Sequence, residues 1–198
     1  MVTIIDYKSG NLRSISNGFK KIGVEPKITD NPEDIASADY LVLPGVGAFG
    51  TAMENLNPFK DLIYEHIAED KPFLGICLGQ QVLLSSSDEA PNVKGLELFK
   101  GHVEKIPEGR KIPHMGWNQI NLIKDCPILN GVDKKSFYFV HSYHAILEDE
   151  SNIAATCDYG IDIAAALSSN NLFSTQFHPE KSGVAGLKIL KNFVNLEF

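Results

Sequence analysis

The chain has 198 residues, 43% hydrophobic and 22% charged, the balance of a soluble globular protein large enough for one ordinary domain, which excludes a disordered or collagen-like chain. Eighteen basic against 25 acidic side chains leave a net charge of −7, so the basic footprint needed to bind nucleic acid is missing. Three cysteines are too few for a disulfide scaffold and fit a reducing cytoplasm, while no apolar run nears the roughly 20 residues of a membrane helix and residues 1–6 lack the basic region of a signal peptide.

In chain order, Val2–Ile5 reads as a short buried strand. Asn11 caps a helix whose apolar face is Leu12, Ile15, Phe19 and Ile22, and Gly23 stops it. Residues 24–28 form a second strand, and Tyr40–Leu43 a third, closed by Pro44. Residues 51–69 predict one amphipathic helix, with Met53, Leu56, Phe59, Ile63 and Ile67 on one side. A fourth strand over 72–76 runs into Cys77, and a helix follows over 79–85, ending in the serine run 85–87. Strands without polar alternation, separated by helices, predict an α/β fold with a parallel sheet covered on both faces. The second half reads as strands near 95–106, 112–123, 137–147, 152–157, 161–168 and 172–177, then a last helix from about 183 carrying Leu187, Leu190, Phe193 and Val194. No linker interrupts the chain, so one domain over 1–198 is expected.

The chemistry concentrates at two places. Gly75-Ile76-Cys77-Leu78-Gly79 has the form glycine-x-nucleophile-x-glycine between a buried strand and a helix. Such a turn is too tight for side chains on its flanks and projects its apex residue at the carboxyl end of the sheet. The positive end of the following helix favours a thiolate at Cys77, and the Leu78 N–H points where an oxyanion would form. A thiolate needs a base. His178 ends an apolar strand, and beyond Pro179 the carboxylate of Glu180 can turn back to the imidazole. Alone, each motif has a purely structural reading, a buried cysteine or a capped strand end; the pairing selects catalysis.

The remaining candidates are weaker. His141 and His144 stand three apart, which on a strand points them to opposite faces and makes them a poor metal pair. No other metal-ligand spacing occurs, His66 is expected to be solvated on its helix, and His102 has no assigned role. Cys126 and Cys157 read as structural. Gly45-Val46-Gly47-Ala48-Phe49-Gly50 matches a dinucleotide fingerprint, but Pro44 directly precedes it and the next strand ends in Cys77 rather than an acidic residue. The better reading is a backbone loop beside Cys77 that offers a second oxyanion donor from Val46 or Gly47.

These segments together resemble the class-I, triad-type glutamine amidotransferases. Gly75-Ile76-Cys77-Leu78-Gly79-Gln80-Gln81 is similar to the family's nucleophile motif, and His178-Pro179-Glu180 to its His-x-Glu. The likeness covers essentially the whole chain. It includes Gly10-Asn11-Leu12-Arg13-Ser14, Pro44–Gly50, Pro113-His114-Met115-Gly116-Trp117-Asn118 and Phe139-Val140-His141-Ser142-Tyr143. It is closest to the branch that supplies ammonia to a separate (β/α)₈-barrel cyclase in histidine biosynthesis; a paralogous branch amidates sugar precursors of surface polysaccharides, and a non-catalytic domain of the same fold is a third possibility. The resemblance implies a doubly wound, mostly parallel sheet with extra strands in the second half. It implies hydrolysis of L-glutamine to glutamate and ammonia through a thioester on Cys77, with no cofactor and no metal. Gly45, Gln81, Ser142 and Tyr143 would hold glutamine, and the segment with Val46 and Gly47 would reorient to complete the oxyanion hole. His114, Met115, Trp117, Asn118 and Lys181 would meet the barrel. Gln80, Lys8 and His144 stand where the family usually has Met, Gly, and Tyr or Arg.

Overall fold

In the computed structural model, which describes residues 1–197, a nine-stranded sheet organises the chain. Phe198, the last residue of the expected domain, lies outside the described residues. Strands β1 (Val2–Ile5), β2 (Lys27–Thr29), β3 (Tyr40–Leu43) and β4 (Phe73–Ile76) pair in parallel in the order β2-β1-β3-β4. The sheet is extended by strands from late in the chain. β12 (Leu172–Thr175) lies parallel to β4, and β11 (Asp162–Ser169), β10 (Ile153–Asp158), β7 (His114–Leu122) and β8 (Ser136–His141) continue it antiparallel. A small second sheet holds β5 (Ser86–Ser87), β6 (Gly101–Lys105) and β9 (Tyr143–Leu147).

The central strands are apolar on both sides because both sides are covered. Ile4, Val42 and Leu74 face one buried cluster, which includes Phe19 of α1 (Leu12–Lys21) and Leu190 of α6 (Gly183–Val194). Their neighbours Ile5, Leu41, Leu43 and Phe73 face the other, with Phe49 and Leu56 of α3 (Phe49–Leu56) and Ile63 of α4 (Lys60–Ala68). The side-chain period of two divides each strand between the two layers.

Several local expectations shift. The helix expected over 51–69 is two, α3 and α4, separated by a 3₁₀ turn at Asn57–Phe59, because Pro58 cannot continue the α hydrogen bonding. The helix expected over 79–85 is only the four-residue α5 (Leu78–Gln81), and Ser86–Ser87 is strand. The segment 137–147 breaks at Ser142 into β8 and β9, which join different sheets. Over 95–106 only Gly101–Lys105 is strand, and the second strand lies at Lys27–Thr29 instead of 24–28. The short α2 (Pro32–Ala36), capped by the Asn31 side chain, has no apolar period long enough to read. Asn11 caps α1 as expected, its side chain accepting from the Ser14 N–H at 3.1 Å.

The carboxyl ends of β3, β4 and β12 lie side by side, with Leu43 opposite Gly75 and Thr175 opposite Ile76. The segments that leave these three strands are 44–48, Cys77–Gly79 and Gln176–Glu180. In an open α/β sheet that is where ligands bind.

Candidate active site

Cys77 leaves β4 in a left-handed conformation, φ +58° and ψ −108°, which a non-glycine residue adopts only when its surroundings enforce it. The enforcement is visible. The Cys77 N–H donates to the Thr175 carbonyl at 2.7 Å, holding the turn to β12. A Cβ on Gly79 would lie 2.0 Å from the Leu43 carbonyl oxygen, and one on Gly75 2.7 Å from that of Gly79. Both flanking glycines are therefore steric requirements, as the motif implied. Gly45 closes the same knot from β3; its Cβ would meet the Leu78 side chain, the Tyr7 hydroxyl and the Gly79 nitrogen, all within 2.8 Å.

His178 is 2% exposed, and its Nδ1 meets Glu180 Oε1 at 2.9 Å. A carboxylate there can only accept, so Nδ1 carries a proton and Nε2 is the ring nitrogen left to face Cys77. Nε2 has no other partner. Burial disfavours the imidazolium, but the Cys77 and Glu180 side chains outweigh it and push the pKa of His178 up to about 9. The main chain is fixed as well. The His178 N–H donates to the Tyr138 carbonyl at 2.9 Å, and the Ser182 hydroxyl donates to the His178 carbonyl at 2.6 Å. From behind, α1 packs closely at Gly18, where a Cβ would stand 3.2 Å from that of Glu180.

Beside Cys77 opens a cavity of about 370 Å³ lined by Val46, Gly47, Leu78, Gln81, Ser142 and Tyr143. Six residues expected at an oxyanion hole or substrate pocket thus share one wall with the thiol. Gly45 does not line it; that glycine packs under the turn. The Leu78 N–H heads α5 and has no acceptor within that helix. The Val46 carbonyl accepts from the Ser9 hydroxyl at 2.6 Å, which tethers the 44–48 segment to the loop after β1. In that loop Lys8 takes φ +63°, the conformation for which the family's usual glycine is suited.

The cavity also has a carboxylate that the motifs do not show. Glu89 lines it and accepts from the Phe49 N–H at the start of α3 at 2.7 Å. This carboxylate occupies the helix terminus where the dinucleotide fingerprint would seat phosphate. Glu89 sits in irregular chain after β5, with no local pattern to mark it.

The other expectations divide. Of the residues expected to meet a partner, Met115 and Trp117 are 55% and 59% exposed. Trp117 stands against Tyr138 at 6.3 Å between ring centroids, and the Lys181 ammonium lies 5.9 Å from the Tyr138 ring. His114 is not on that surface. It is buried, stacked on Phe139 and Tyr159, with its Nδ1 3.0 Å from His141 Nε2. Asn118 is half-buried and donates to the Asp158 carbonyl. The reason is the strand period: on β7, residues 115 and 117 point out, and 114 and 118 point the other way. His66 is buried rather than solvated, its Nε2 3.0 Å from the Pro72 carbonyl, and burial lowers its pKa. His141 and His144 fall on different strands. With only four residues in α5, little helix dipole reaches Cys77. Cys126 and Cys157 are buried, and burial raises both thiol pKa values, that of Cys157 to about 12. Among the described residues no three metal-ligating side chains cluster.

Comparison with known proteins is specific. The family model for class-I glutamine amidotransferases matches residues 3–196. The imidazole glycerol phosphate synthase subunit HisH of Methanothermobacter thermautotrophicus is 54% identical, over 99% of this chain and 98% of that protein. The subunit of the same name from Methanocaldococcus jannaschii is 49% identical, over 99% of this chain and 100% of that protein. Among solved structures, a glutamine amidotransferase superposes with a TM-score of 0.78 at 18% identity, covering 98% of this chain and 97% of that one. PurLQS from Thermotoga maritima superposes with a TM-score of 0.77 at 19% identity and the same coverage, a likeness of fold alone.

Proposed function

The chain belongs to the class-I glutamine amidotransferase family, and from that premise we propose that it acts as the glutaminase subunit of an imidazole glycerol phosphate synthase, with Cys77, His178 and Glu180 as its catalytic residues. Full-length relatives of that activity favour this reading over a polysaccharide-amidating paralogue or a non-catalytic domain. The observation that carries the catalytic assignment is the strained Cys77 turn coupled to the buried His178–Glu180 pair.

In the mechanism, glutamine lies in the cavity with its carboxamide carbon at Cys77. Gln81, Ser142 and Tyr143 hold the amino-acid end, and Glu89 supplies a counter-charge for the α-ammonium. Gly45 acts from beneath by keeping the loop against the turn. The sulfur attacks the carboxamide carbon, and the Leu78 N–H with that of Val46 or Gly47 receives the developing oxyanion. His178 gives its proton to the departing ammonia, leaving a thioester. It then takes a proton from water, which releases glutamate and restores the thiolate. Glu180 holds the imidazole in the tautomer this requires.

Free ammonia would be protonated in bulk water and lose its nucleophilicity, so the product has to pass directly to an acceptor. We assign the acceptor to a (β/α)₈-barrel cyclase seated on the face formed by Met115, Trp117, Tyr138 and Lys181. Among the described residues no helix is long and apolar enough to cross a membrane, and a cytoplasmic site of action is part of this reading. The chain is read as one catalytic domain.

The test is to combine the protein with a barrel cyclase and its nucleotide acceptor and follow glutamate and imidazole glycerol phosphate together. Stoichiometric appearance of both supports the assignment. Glutamate release with no acceptor turnover in the presence of an active cyclase contradicts it.

A further inference from the structure

Between β12 and His178 lies Gln176, fully buried and outside every motif that pointed to the site. Its Nε2 donates to Cys77 Sγ at 3.7 Å, while its Oε1 accepts from Gln81 Nε2 at 3.1 Å. The same Gln81 nitrogen donates to the Tyr143 carbonyl at 2.9 Å. This chain of bonds fixes the amide orientations. A backbone carbonyl only accepts, so the Gln81 atom facing Tyr143 is nitrogen. That nitrogen also faces Gln176, which must present its oxygen there. The NH₂ group of Gln176 is thereby turned to the sulfur. Its backbone is pinned too, the N–H donating to the Ala165 carbonyl at 2.8 Å.

We propose that Gln176 is a further catalytic residue, a fixed N–H donor that stabilises the Cys77 thiolate and ties it to Gln81 on the substrate wall. The inference rests on Cys77 being the nucleophile. A hydrogen bond to an anionic acceptor is about twice as strong as one between neutral groups, and here no water competes for the buried amide. Gln176 neither gives nor takes a proton. When sulfur acylates, its charge is discharged and the bond weakens; when the thioester is hydrolysed, the same donor favours sulfur as the leaving group. The short α5 contributes little helix dipole, so the donor acts beside His178 rather than duplicating the helix. The titratable groups around the thiol are His178 after β12, with Glu180 behind it, Tyr7 after β1, His141 at the end of β8, and Glu89 and Tyr143 on the same cavity.

Gln176→Met keeps the shape and removes the donor. Chloroacetamide alkylation of Cys77, followed by peptide mass spectrometry across pH, reads the thiolate directly, and thermal unfolding of the same sample checks the fold. At neutral pH the variant is expected to alkylate about tenfold more slowly than wild type, with matching rates at the alkaline plateau, and kcat for glutamine falls in parallel. Gln81→Leu, which frees the Gln176 amide to turn, shows a smaller loss in the same direction and stands in should the methionine variant not fold. A folded variant with the wild-type neutral rate overturns the proposal. The underlying reading fails separately, if wild-type Cys77 alkylates no faster than the buried Cys126 and Cys157.

Discussion

Cys77 holds a backbone conformation that costs on the order of 1–3 kcal/mol for a non-glycine residue, and the neighbouring contacts sustain it. The steric half of that support is Gly79. With a Cβ 2.0 Å from the Leu43 oxygen, Gly79→Ala forces two strand ends apart. It is expected to lower stability by about 3 kcal/mol in denaturant titration; a loss below about 0.5 kcal/mol would show that the turn is not held this way. The electrostatic half is His178. Its folded pKa of about 9 lies above the ordinary 6.5, so its stabilising contribution is complete below pH 6.5 and is lost as pH rises through 9. Glu180→Gln removes one of the two groups that raise it. The stability difference between pH 6 and pH 9.5 should shrink in that variant, and glutaminase activity should fall by about 100-fold with the imidazole unoriented. An unchanged pH profile of stability would mean that the Glu180 carboxylate does not bear on the His178 charge.

Elements decide which residues face where. On β7 the alternation exposes Met115 and Trp117 and buries His114, so one strand offers an exposed face, the proposed docking surface, and a core wall. Trp117→Ala should leave stability within about 0.5 kcal/mol of wild type and weaken association with the cyclase by about 100-fold, measured by calorimetry. Undiminished affinity would move the interface elsewhere. The inward face gives a prediction of opposite character. Burial lowers the pKa of His114 to about 4 and that of His141 to about 3, so the unfolded chain takes up protons first as pH falls. Stability contributed by these neutral rings is present above pH 6.5 and is lost as pH falls from there, down to about 4 for His114 and about 3 for His141. His114→Phe keeps a stacking ring without a titrating nitrogen. Its melting temperature should drop less than that of wild type from pH 7 to pH 4.5, and an equal drop would assign acid sensitivity to other groups. On α4, His66 follows Ile63 by three residues, a spacing that shares one face, and both are buried.

Across the whole molecule, what could be read in advance was what is local in the chain. Gly75 and Gly79 around Cys77, and Pro179 between His178 and Glu180, mark tight turns within a few residues, so the strained turn and the His178–Glu180 contact of the candidate site were legible. So were the apolar strands β1, β3 and β4, which are buried on both faces. Gln176 and Glu89 were not, because each reaches the site only through long-range packing: β12 beside β4 for one, an irregular segment against the start of α3 for the other. The break at Ser142 was hidden as well, since both halves are strand and only the assembled sheets show that they part. The Cys77 sulfur is the atom proposed to receive the glutamyl group. The direct measurement is glutamate release by Cys77→Ala in the assembled complex, with circular dichroism to verify the fold. A folded complex with at least a thousandfold less activity is the expected result; turnover of glutamine at the wild-type rate would contradict it.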